Sequence, residues 1–511
     1  MLLNPLVKIF LSCFCGFLLS LSAPGYNLWF IAWFALSPLF IIIYTSKNIK
    51  ETAFYSFLFG FAYNLNYLQW IFSIHPLNWL GFDNTVSFFI SAFSLILVSF
   101  YNSIFFVLFS ILTRYLKNSS LHPYNKGLPY VTLVTFIWLI VFNKLSGSEL
   151  LLGFPWTLIE YSQYKNLYLI QIAEYFGSIS ISFILVLFNL LLAHIFISIF
   201  NIEKVSNRYI SKSPGQASPM LYSLFILIGL IGINLFFGMY LYYKNHDRFT
   251  NNSNTVSILQ GNLPLGVTRG SKQDINFSKQ IYGTLLENNN AKLILLPEGA
   301  LPVVFNNSLT TQSWLKLNTN KKQSDVIAGS YCSNENHLTN CVVLSNHTDK
   351  KFSYYEKERL VPFGEFTPLA FVFPGFMKKF ASNVIGDGFM KGKKCSPLNT
   401  SIGKAGINIC FELIFPTIIR KQSLEKAKFL VNFSDLSWFS NDFVRQQFLS
   451  FAVFRAIENR KWVVVAANNG ISAFVESNGK IKSQSLQNKE GVLLDWITPN
   501  NKTTFYAKYG W

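Results

Sequence analysis

Residues 406–416 read GINICFELIFP, and their reading decides the fold of the second half of the chain. Ile407 and Ile409 alternate with small or polar positions, the two-residue period of a half-buried strand. That strand delivers Cys410, and from Glu412 to Ile419 the apolar spacing turns helical on the way to Arg420. A cysteine at a strand-to-helix junction meets free N–H groups and the positive end of a helix dipole, which favour the nucleophilic thiolate. A buried structural cysteine is the competing reading, because unpaired cysteine is among the most buried residue types.

Two further stretches bear on that choice. Residues 293–298 (LILLPE) form an apolar strand ending in Pro297 and an acid, and residues 354–368 (YYEKERLVPFGEFTP) carry Lys357 and Glu365 around a Pro-Gly turn. An acid, a lysine and a cysteine, each beside a strand end, are the parts of an activated-thiol site: base, oxyanion stabiliser and nucleophile. At these residues the chain resembles the nitrilase, or carbon–nitrogen hydrolase, superfamily. Within it the wording is closest to the bacterial apolipoprotein N-acyltransferases: PEGALP at 297–302, KERLVPFGEFTP at 357–368 and ICFELIFP at 409–416. Further family wording lies at 260–264 (QGNLP), 431–439 (VNFSDLSWF), 454–459 (FRAIEN) and 467–470 (ANNG), so the resemblance covers nearly the whole chain. It implies Glu298, Lys357 and Cys410 as the catalytic set, Glu365, Phe411 and Glu412 in support, and Gln260, Asn262, Trp438 and Asn468 toward substrate. Asn468-Asn469-Gly470 also reads locally as turn chemistry, since Asn and Gly tolerate positive φ.

Composition divides the chain. Of 511 residues, 51% are hydrophobic and 13% charged, about half the charge of a soluble domain at roughly 25%. Long apolar runs fill residues 1–243, and a mixed globular sequence follows from 244 to 500. The expectation is a multi-pass α-helical membrane domain followed by a soluble α/β domain. Seven candidate spans, near the roughly 20 residues that cross a bilayer, centre on Leu6 to Leu21, Leu28 to Tyr44, Phe54 to Ile74, Val86 to Leu112, Val131 to Phe142, Ile181 to Phe200 and Leu221 to Tyr242. The next apolar run follows the first too closely for a cleaved signal peptide.

Seven crossings put Lys8, Lys47, Lys50, Arg114, Lys117, Lys126, Lys204, Arg208 and Lys212 on one side, against Lys144 and Lys165 on the other. By the positive-inside rule the N-terminus is cytoplasmic and the soluble domain outside, in the periplasm of an inner-membrane protein. The net charge of +18 is partly these anchors; it suggests a basic face toward membrane lipid and gives no reason to invoke nucleic acid. Between spans five and six, residues 153–163 (GFPWTLIEYSQ) are expected to form an aromatic interfacial segment, and their wording resembles a loop of the same family.

From Thr255 onward strands are expected at 255–260, 292–296, 325–331, 342–345, 405–410, 429–433, 462–467 and 471–476, with helices at 272–288, 312–317, 413–424 and 442–459. The alternation gives an α/β layered domain; the resemblance sharpens it to the nitrilase α-β-β-α sandwich. Cys332 and Cys341 bracket a polar loop between two strands and are candidates for a disulfide in an oxidising compartment. No His or Cys spacing suggests a metal, and no cofactor is implied. Residues 362–389 are rich in Phe (Phe363, Phe366, Phe371, Phe373, Phe376, Phe380), expected either as mobile apolar loops at the bilayer or as ordinary core.

The resemblance implies a ping-pong reaction. Glu298 takes the thiol proton as Cys410 attacks an ester carbonyl of a phospholipid, chiefly phosphatidylethanolamine, and the acyl group then passes from the thioester to the α-amine of the lipid-modified N-terminal cysteine of an apolipoprotein. The protein is expected to act as a monomer. Three features depart from the family pattern: Phe411 where Tyr is common, Arg269 where a Trp is usual, and residues 501–511 in place of an eighth span. Two rival functions use the same residues differently: a membrane-tethered amidase or nitrile hydrolase with water as acceptor, and a non-catalytic lipid- or lipoprotein-binding protein.

Overall fold

A computed structural model describes residues 4–78, 81–118, 128–148, 152–200, 217–265, 267, 271–287, 289–334, 337–366, 388–485 and 487–510. The chain divides into two compact units. The first comprises Met1–His75, Thr85–Ala173 and Ser178–Tyr240; the second comprises Pro76–Asn84, Glu174–Gly177 and Leu241–Trp511.

The first unit is helical. Among the described residues three helices are long and apolar enough to cross a bilayer, Asn84–Lys117, Ile179–Ile197 and Leu221–Lys244. The other four expected spans also coincide with helix, but shorter or interrupted. Pro5–Ser20 has 16 residues. The second is broken into a 3₁₀ turn, Trp29–Trp33, and a helix, Ser37–Thr45, with Pro38 in its first turn, where a missing N–H costs nothing. The third is a helix, Ile49–Tyr67, that tightens to a 3₁₀ turn at Gln69–Ile74, and the fifth, Leu128–Trp138, widens to a π turn at Leu139–Leu145.

The segment 153–163 is not an interfacial belt. Nearly all of it is buried inside the unit, and polar bonds hold it there. The Glu160 carboxylate accepts from Asn143 Nδ2 at 2.7 Å and from the Ser182 hydroxyl, Thr157 Oγ1 donates to Asn64 Oδ1 at 2.9 Å, and Gln163 Nε2 donates to the Trp29 carbonyl at 2.9 Å. Irregular backbone within a membrane domain persists only where protein satisfies its polar groups. The aromatic composition that reads as a lipid interface is here an interior packing surface.

The second unit holds two six-stranded sheets. One has the order β12-β1-β2-β3-β4-β5 and the other β11-β10-β9-β8-β7-β6. The first six strands are β1 Asn254–Gln260, β2 Leu293–Val304, β3 Asp325–Asn334, β4 His337–Ser345, β5 Phe352–Glu356 and β6 Leu398–Thr400. The rest are β7 Gly403–Ile409, β8 Phe429–Ser434, β9 Val463–Ala467, β10 Ala473–Val475, β11 Ile481–Gln484 and β12 Gly491–Ile497. In each sheet three consecutive strands run parallel, β1-β2-β3 and β7-β8-β9, with antiparallel strands on their flanks.

Val256, Leu295, Ile327 and Val342 from one sheet meet Ile407, Val431, Val464 and Phe474 from the other in one fully buried cluster. The outer face of the first sheet packs on helices Lys272–Glu287 and Leu309–Lys322 through Tyr282, Leu286 and Leu315. Helices Pro416–Leu424 and Asp442–Asn459 cover the second. The domain is therefore a four-layer α-β-β-α sandwich, as the sequence led us to expect. Among the parallel strands β8 (FLVNFS) and β9 (VVVAA), buried throughout, are the near-continuous apolar runs visible in the sequence. The strands β5, β6, β11 and β12 were not foreseen: β6 is three residues long, and β11 (IKSQ) is too polar to show a pattern. Cys332 and Cys341 are joined in a disulfide across β3 and β4.

Candidate functional site

Two of the three residues singled out by the sequence leave the carboxyl ends of strands, where open α/β sheets place their ligand sites, and the third sits at an irregularity within a strand. Lys357 follows β5 directly and Cys410 follows β7 directly. Glu298 lies within β2 where the pairing with β3 shifts register, between Leu296 and Leu301. Gly329 on β3 makes room for this irregularity, since a Cβ there would stand 2.2 Å from the Pro297 carbonyl oxygen and 2.6 Å from the Glu298 Cα.

These strand ends bring Glu298, Lys357, Cys410 and Glu365 together. The Cys410 thiol stands beside the Glu298 carboxylate and the Lys357 ammonium, whose charges act on it in opposite directions. Glu298 Oε1 accepts from Asn340 Nδ2 at 2.7 Å and faces Lys357 Nζ at 3.4 Å, while Oε2 accepts from the Asp435 N–H at 2.9 Å. Lys357 Nζ donates to Glu365 Oε1 at 2.8 Å, Asn340 Nδ2 reaches the same oxygen at 3.0 Å, and Val361 N–H donates to Glu365 Oε2 at 2.8 Å. Lys357 is fixed along its backbone as well, with its N–H on the Asn340 carbonyl and its own carbonyl accepting from Gly392 N–H, both at 2.8 Å.

Electrostatics follow from burial and neighbours. Burial works against the charge on Lys357, but Glu365 and Glu298 together outweigh it and raise its pKa, so the side chain stays an ammonium. Burial, only partly offset by Lys357, raises the Glu298 pKa, and the nearby Glu365 adds to the rise. The Cys410 thiol is pushed well above its ordinary range, first by burial and then by the Glu298 carboxylate, with Lys357 pulling the other way.

This corrects the expectation of a thiolate stabilised by a helix. The residues after Cys410 form a short 3₁₀ turn, Cys410–Ile414, and the α-helix begins only at Pro416. A single tight turn has little dipole to offer, so the resting sulfur holds its proton beside a base. Cys410 itself adopts φ 49°, in the left-handed region.

Glu412 is buried under the nucleophile turn. Its Oε2 accepts from Ile409 N–H at 2.7 Å and Tyr355 OH at 2.9 Å, and its Oε1 accepts from Glu358 N–H at 2.6 Å and Arg359 N–H at 3.0 Å. One carboxylate thereby ties the strand before Cys410 to the chain after Lys357. Phe411 is buried and packs edge-on against Phe415, with ring centroids 5.1 Å apart.

The residues read toward substrate are largely engaged with their own neighbours, and Asn468 Nδ2 also reaches the Asp435 carboxylate at 3.2 Å. The Gln260 carboxamide is taken up by Ser472, Ser485 and the Lys489 carbonyl. Asn468 bonds both the N–H and the carbonyl of Leu263 at 2.8 Å, and Asn262 returns a backbone bond to Asn468. These three join β1 to the ends of β9 and β10 through bonds within the fold. Trp438 is 36% exposed after β8. Arg269 and Phe371, Phe373, Phe376 and Phe380 lie outside the described residues. Asn340 and Asp435, which hold the base, were not singled out; in sequence Asn340 reads as part of the polar loop between Cys332 and Cys341, and only the pairing of β4 exposes its role. Among the described residues no group of His, Cys, Asp and Glu is arranged to hold a metal.

Comparison with known proteins agrees with both halves of the chain. Residues 15–191 match the family model for the apolipoprotein N-acyltransferase N-terminal domain, and residues 256–502 match that for carbon–nitrogen hydrolase. An apolipoprotein N-acyltransferase of Geobacter metallireducens is 28% identical over 97% of this chain and 90% of its own length. One from Wigglesworthia glossinidia brevipalpis is 27% identical over 99% and 95%. Among solved structures, the carbon–nitrogen hydrolase from Helicobacter pylori G27 aligns with a TM-score of 0.38 at 20% identity, covering 48% of this chain and 89% of that one.

Proposed function

We infer, for a chain that belongs to the apolipoprotein N-acyltransferase family of carbon–nitrogen hydrolases, that it transfers an acyl group from a phospholipid to the α-amine of the lipid-bearing N-terminal cysteine of an apolipoprotein. The observation that carries the chemistry is a thiol set beside a buried carboxylate and a lysine, the lysine held as an ammonium between Glu298 and Glu365.

In the first half-reaction Cys410 Sγ attacks the ester carbonyl carbon as its proton passes to Glu298. A raised carboxylate pKa suits Glu298 to hold that proton for a short time. Negative charge gathers on the carbonyl oxygen, and Lys357 is the cation beside it; a fixed donor of this kind is worth about 3 kcal/mol in the transition state. The C–O bond then breaks, Glu298 returns the proton to the leaving alkoxide, and a lysophospholipid departs. In the second half-reaction Glu298 takes a proton from the incoming amine as its nitrogen attacks the thioester carbon. The C–S bond breaks and the thiolate is reprotonated. Ester and amine become alcohol and amide, with no net change in protons.

Glu365 and Asn340 position this set: Glu365 fixes the Lys357 ammonium, and Asn340 holds Glu298 and Glu365 at a set separation. Phosphatidylethanolamine is the donor we propose, with the N-terminus cytoplasmic and the catalytic domain periplasmic, on the charge distribution of the loops. Both substrates are lipid-anchored, which gives a reason for a hydrolase-type domain to be joined to membrane helices.

Intact mass of the purified full chain after incubation with phosphatidylethanolamine tests the reading. A hydroxylamine-sensitive gain of one acyl group, absent from Cys410→Ala, is expected. Release of ammonia from small amides with no acyl adduct would replace it with the amidase reading.

A further inference from the structure

A row of polar side chains lies under the helices that cover the second sheet. Successive residues of a strand point to opposite faces. On β7 and β8, Ile407, Ile409, Val431 and Phe433 turn to the cluster between the sheets, which puts Asn408, Asn432 and Ser434 on the helix side. Gly406, in step with Asn408, marks that face: a Cβ there would lie 3.2 Å from the Cβ of Gln422 on the helix Pro416–Leu424. Asn408, Asn432 and Ser434 are all fully buried. Polar groups in such a layer are costly unless bonded, and a helix packs as well on apolar ones.

Their bonds lead to the nucleophile. Asn408 and Asn432 are partners in the parallel ladder of β7 and β8, which ends at Ile409 and Phe433. Asn432 Nδ2 donates to Asn408 Oδ1 at 2.6 Å and to the Cys410 carbonyl, just past the ladder, at 3.2 Å. Asn432 Oδ1 accepts from the Ser434 hydroxyl, and Asn408 Nδ2 donates to the Val431 carbonyl at 3.1 Å. These partners fix the Asn432 amide one way round, since a half-turn would set its oxygen against two acceptors. Ser434 adjoins Asp435, whose N–H holds Glu298. One amide therefore links the backbone of the nucleophile to the strand end that holds the base.

The direction of the sulfur explains the need for that link. Continued alternation after Asn408 would send position 410 to the helix side, away from Glu298 and Lys357, which come from the first sheet. The left-handed turn at Cys410 breaks the alternation, and its side chain packs against the cluster between the sheets instead. A residue with a Cβ resists that conformation. Glu412 fixes the chain one residue earlier, at Ile409 N–H, and Asn432 fixes the carbonyl that follows. We propose that Asn432 is a positioning residue for acyl transfer: by anchoring the Cys410 carbonyl from the helix side of the sheet, it keeps the sulfur turned toward Glu298. The inference rests on the acyl-transfer reading above and deepens it.

The test uses the full chain in detergent micelles and reads single-turnover thioester formation at Cys410 by intact mass. The donors are phosphatidylethanolamine and a p-nitrophenyl ester of the same acyl chain. Asn432→Leu keeps the volume and removes the bond to Cys410; Asn408→Leu removes a buried amide from the same layer and retains Asn432. Asn432→Leu is expected to slow the chemical step roughly 10- to 100-fold on both donors with half-saturation unchanged, and Asn408→Leu to lose no more than about threefold despite a comparable fall in melting temperature. Equal rate losses in the two variants, a loss confined to half-saturation, or no loss overturns the proposal and leaves the acyl-transfer reading intact. Asn432→Ala, which removes the bond without adding bulk, decides in the same way should the Leu variant fail to fold. Wild-type protein that takes the ester but no phospholipid overturns the acyl-transfer reading, and the rates on the ester then support or overturn the role of Asn432 by the same comparison.

Discussion

Glu412→Gln is the sharpest probe of how the site is held, because it preserves shape and removes only charge and one acceptor. The carboxylate receives four donors, two on each oxygen. The amide is best placed with its oxygen toward Glu358 N–H and Arg359 N–H. Its NH₂ then faces Tyr355 OH, which can rotate to accept, and Ile409 N–H, which cannot. One buried N–H without a partner costs about 1–3 kcal/mol, and the surviving bonds weaken as they lose charge assistance, so the total is about 2–4 kcal/mol. For a domain of this size the melting temperature is expected to fall by roughly 5–10 °C.

Ile409 precedes the nucleophile, so the disturbance enters the turn that aims Cys410. A displacement near 1 Å in a reacting group lowers rate by about a hundredfold. Thermal melting in detergent together with single-turnover thioester formation by intact mass checks both effects. Wild-type kinetics with an unshifted melt would refute the claim that Glu412 organises the turn.

The same group sets a pH signature. Burial is the main cause that raises the Glu412 pKa to about 7, against about 4.3 in an unfolded chain. Between those values the folded state binds the extra proton, so this residue's contribution to stability falls as pH rises from about 4.3 to 7 and is level above. The Gln variant is expected to lose that part of the slope.

Glu298→Gln is expected to abolish thioester formation yet speed alkylation of Cys410 by iodoacetamide near neutral pH, since removing the carboxylate leaves Lys357 to favour the thiolate; slower alkylation would show that Glu298 does not hold the thiol proton in place. Breaking the Cys332–Cys341 bridge by reductant, or by Ser at both positions, is expected to cost about 2–3 kcal/mol from the short loop it closes, seen as a lower melting temperature. Because Cys341 adjoins Asn340, the same change is expected to slow acylation, and unaltered kinetics would confine the disulfide to a structural role. Gly392→Ala forces the lysine-rich run away from Glu356; hydrogen exchange at residues 388–394 is expected to rise, and unchanged protection would mean the strand end yields instead.

What the sequence disclosed depended on how local the cause was. The first four residues of β2, most of β8 and all of β9 are apolar because both faces are buried there, and that burial is written residue by residue. Glu298 and Cys410 stood out because each follows an apolar stretch, and Lys357 because of the Pro-Gly segment it shares with Glu365. β12 was hidden because its place is set by antiparallel pairing with β1, far away in the chain. The state of the thiol was misread for the same reason: a helical pattern after Cys410 is local, whereas the Glu298 carboxylate that raises its pKa comes from the other sheet. Gln260 and Asn468 carry family wording, and only the fold shows the bonds by which they join β1 to the far end of the other sheet.

The left-handed backbone of Cys410 sets two demands on one position in opposition. For a residue with a Cβ this conformation costs roughly 1–2 kcal/mol, and glycine adopts it freely. Glycine is therefore the substitution that the fold alone would choose. A library of single substitutions at position 410, sorted for thermal survival, should enrich glycine over the wild-type residue; the same library sorted for acyl transfer should return cysteine alone. The divergence between those two rankings measures the conformational energy invested in aiming the sulfur.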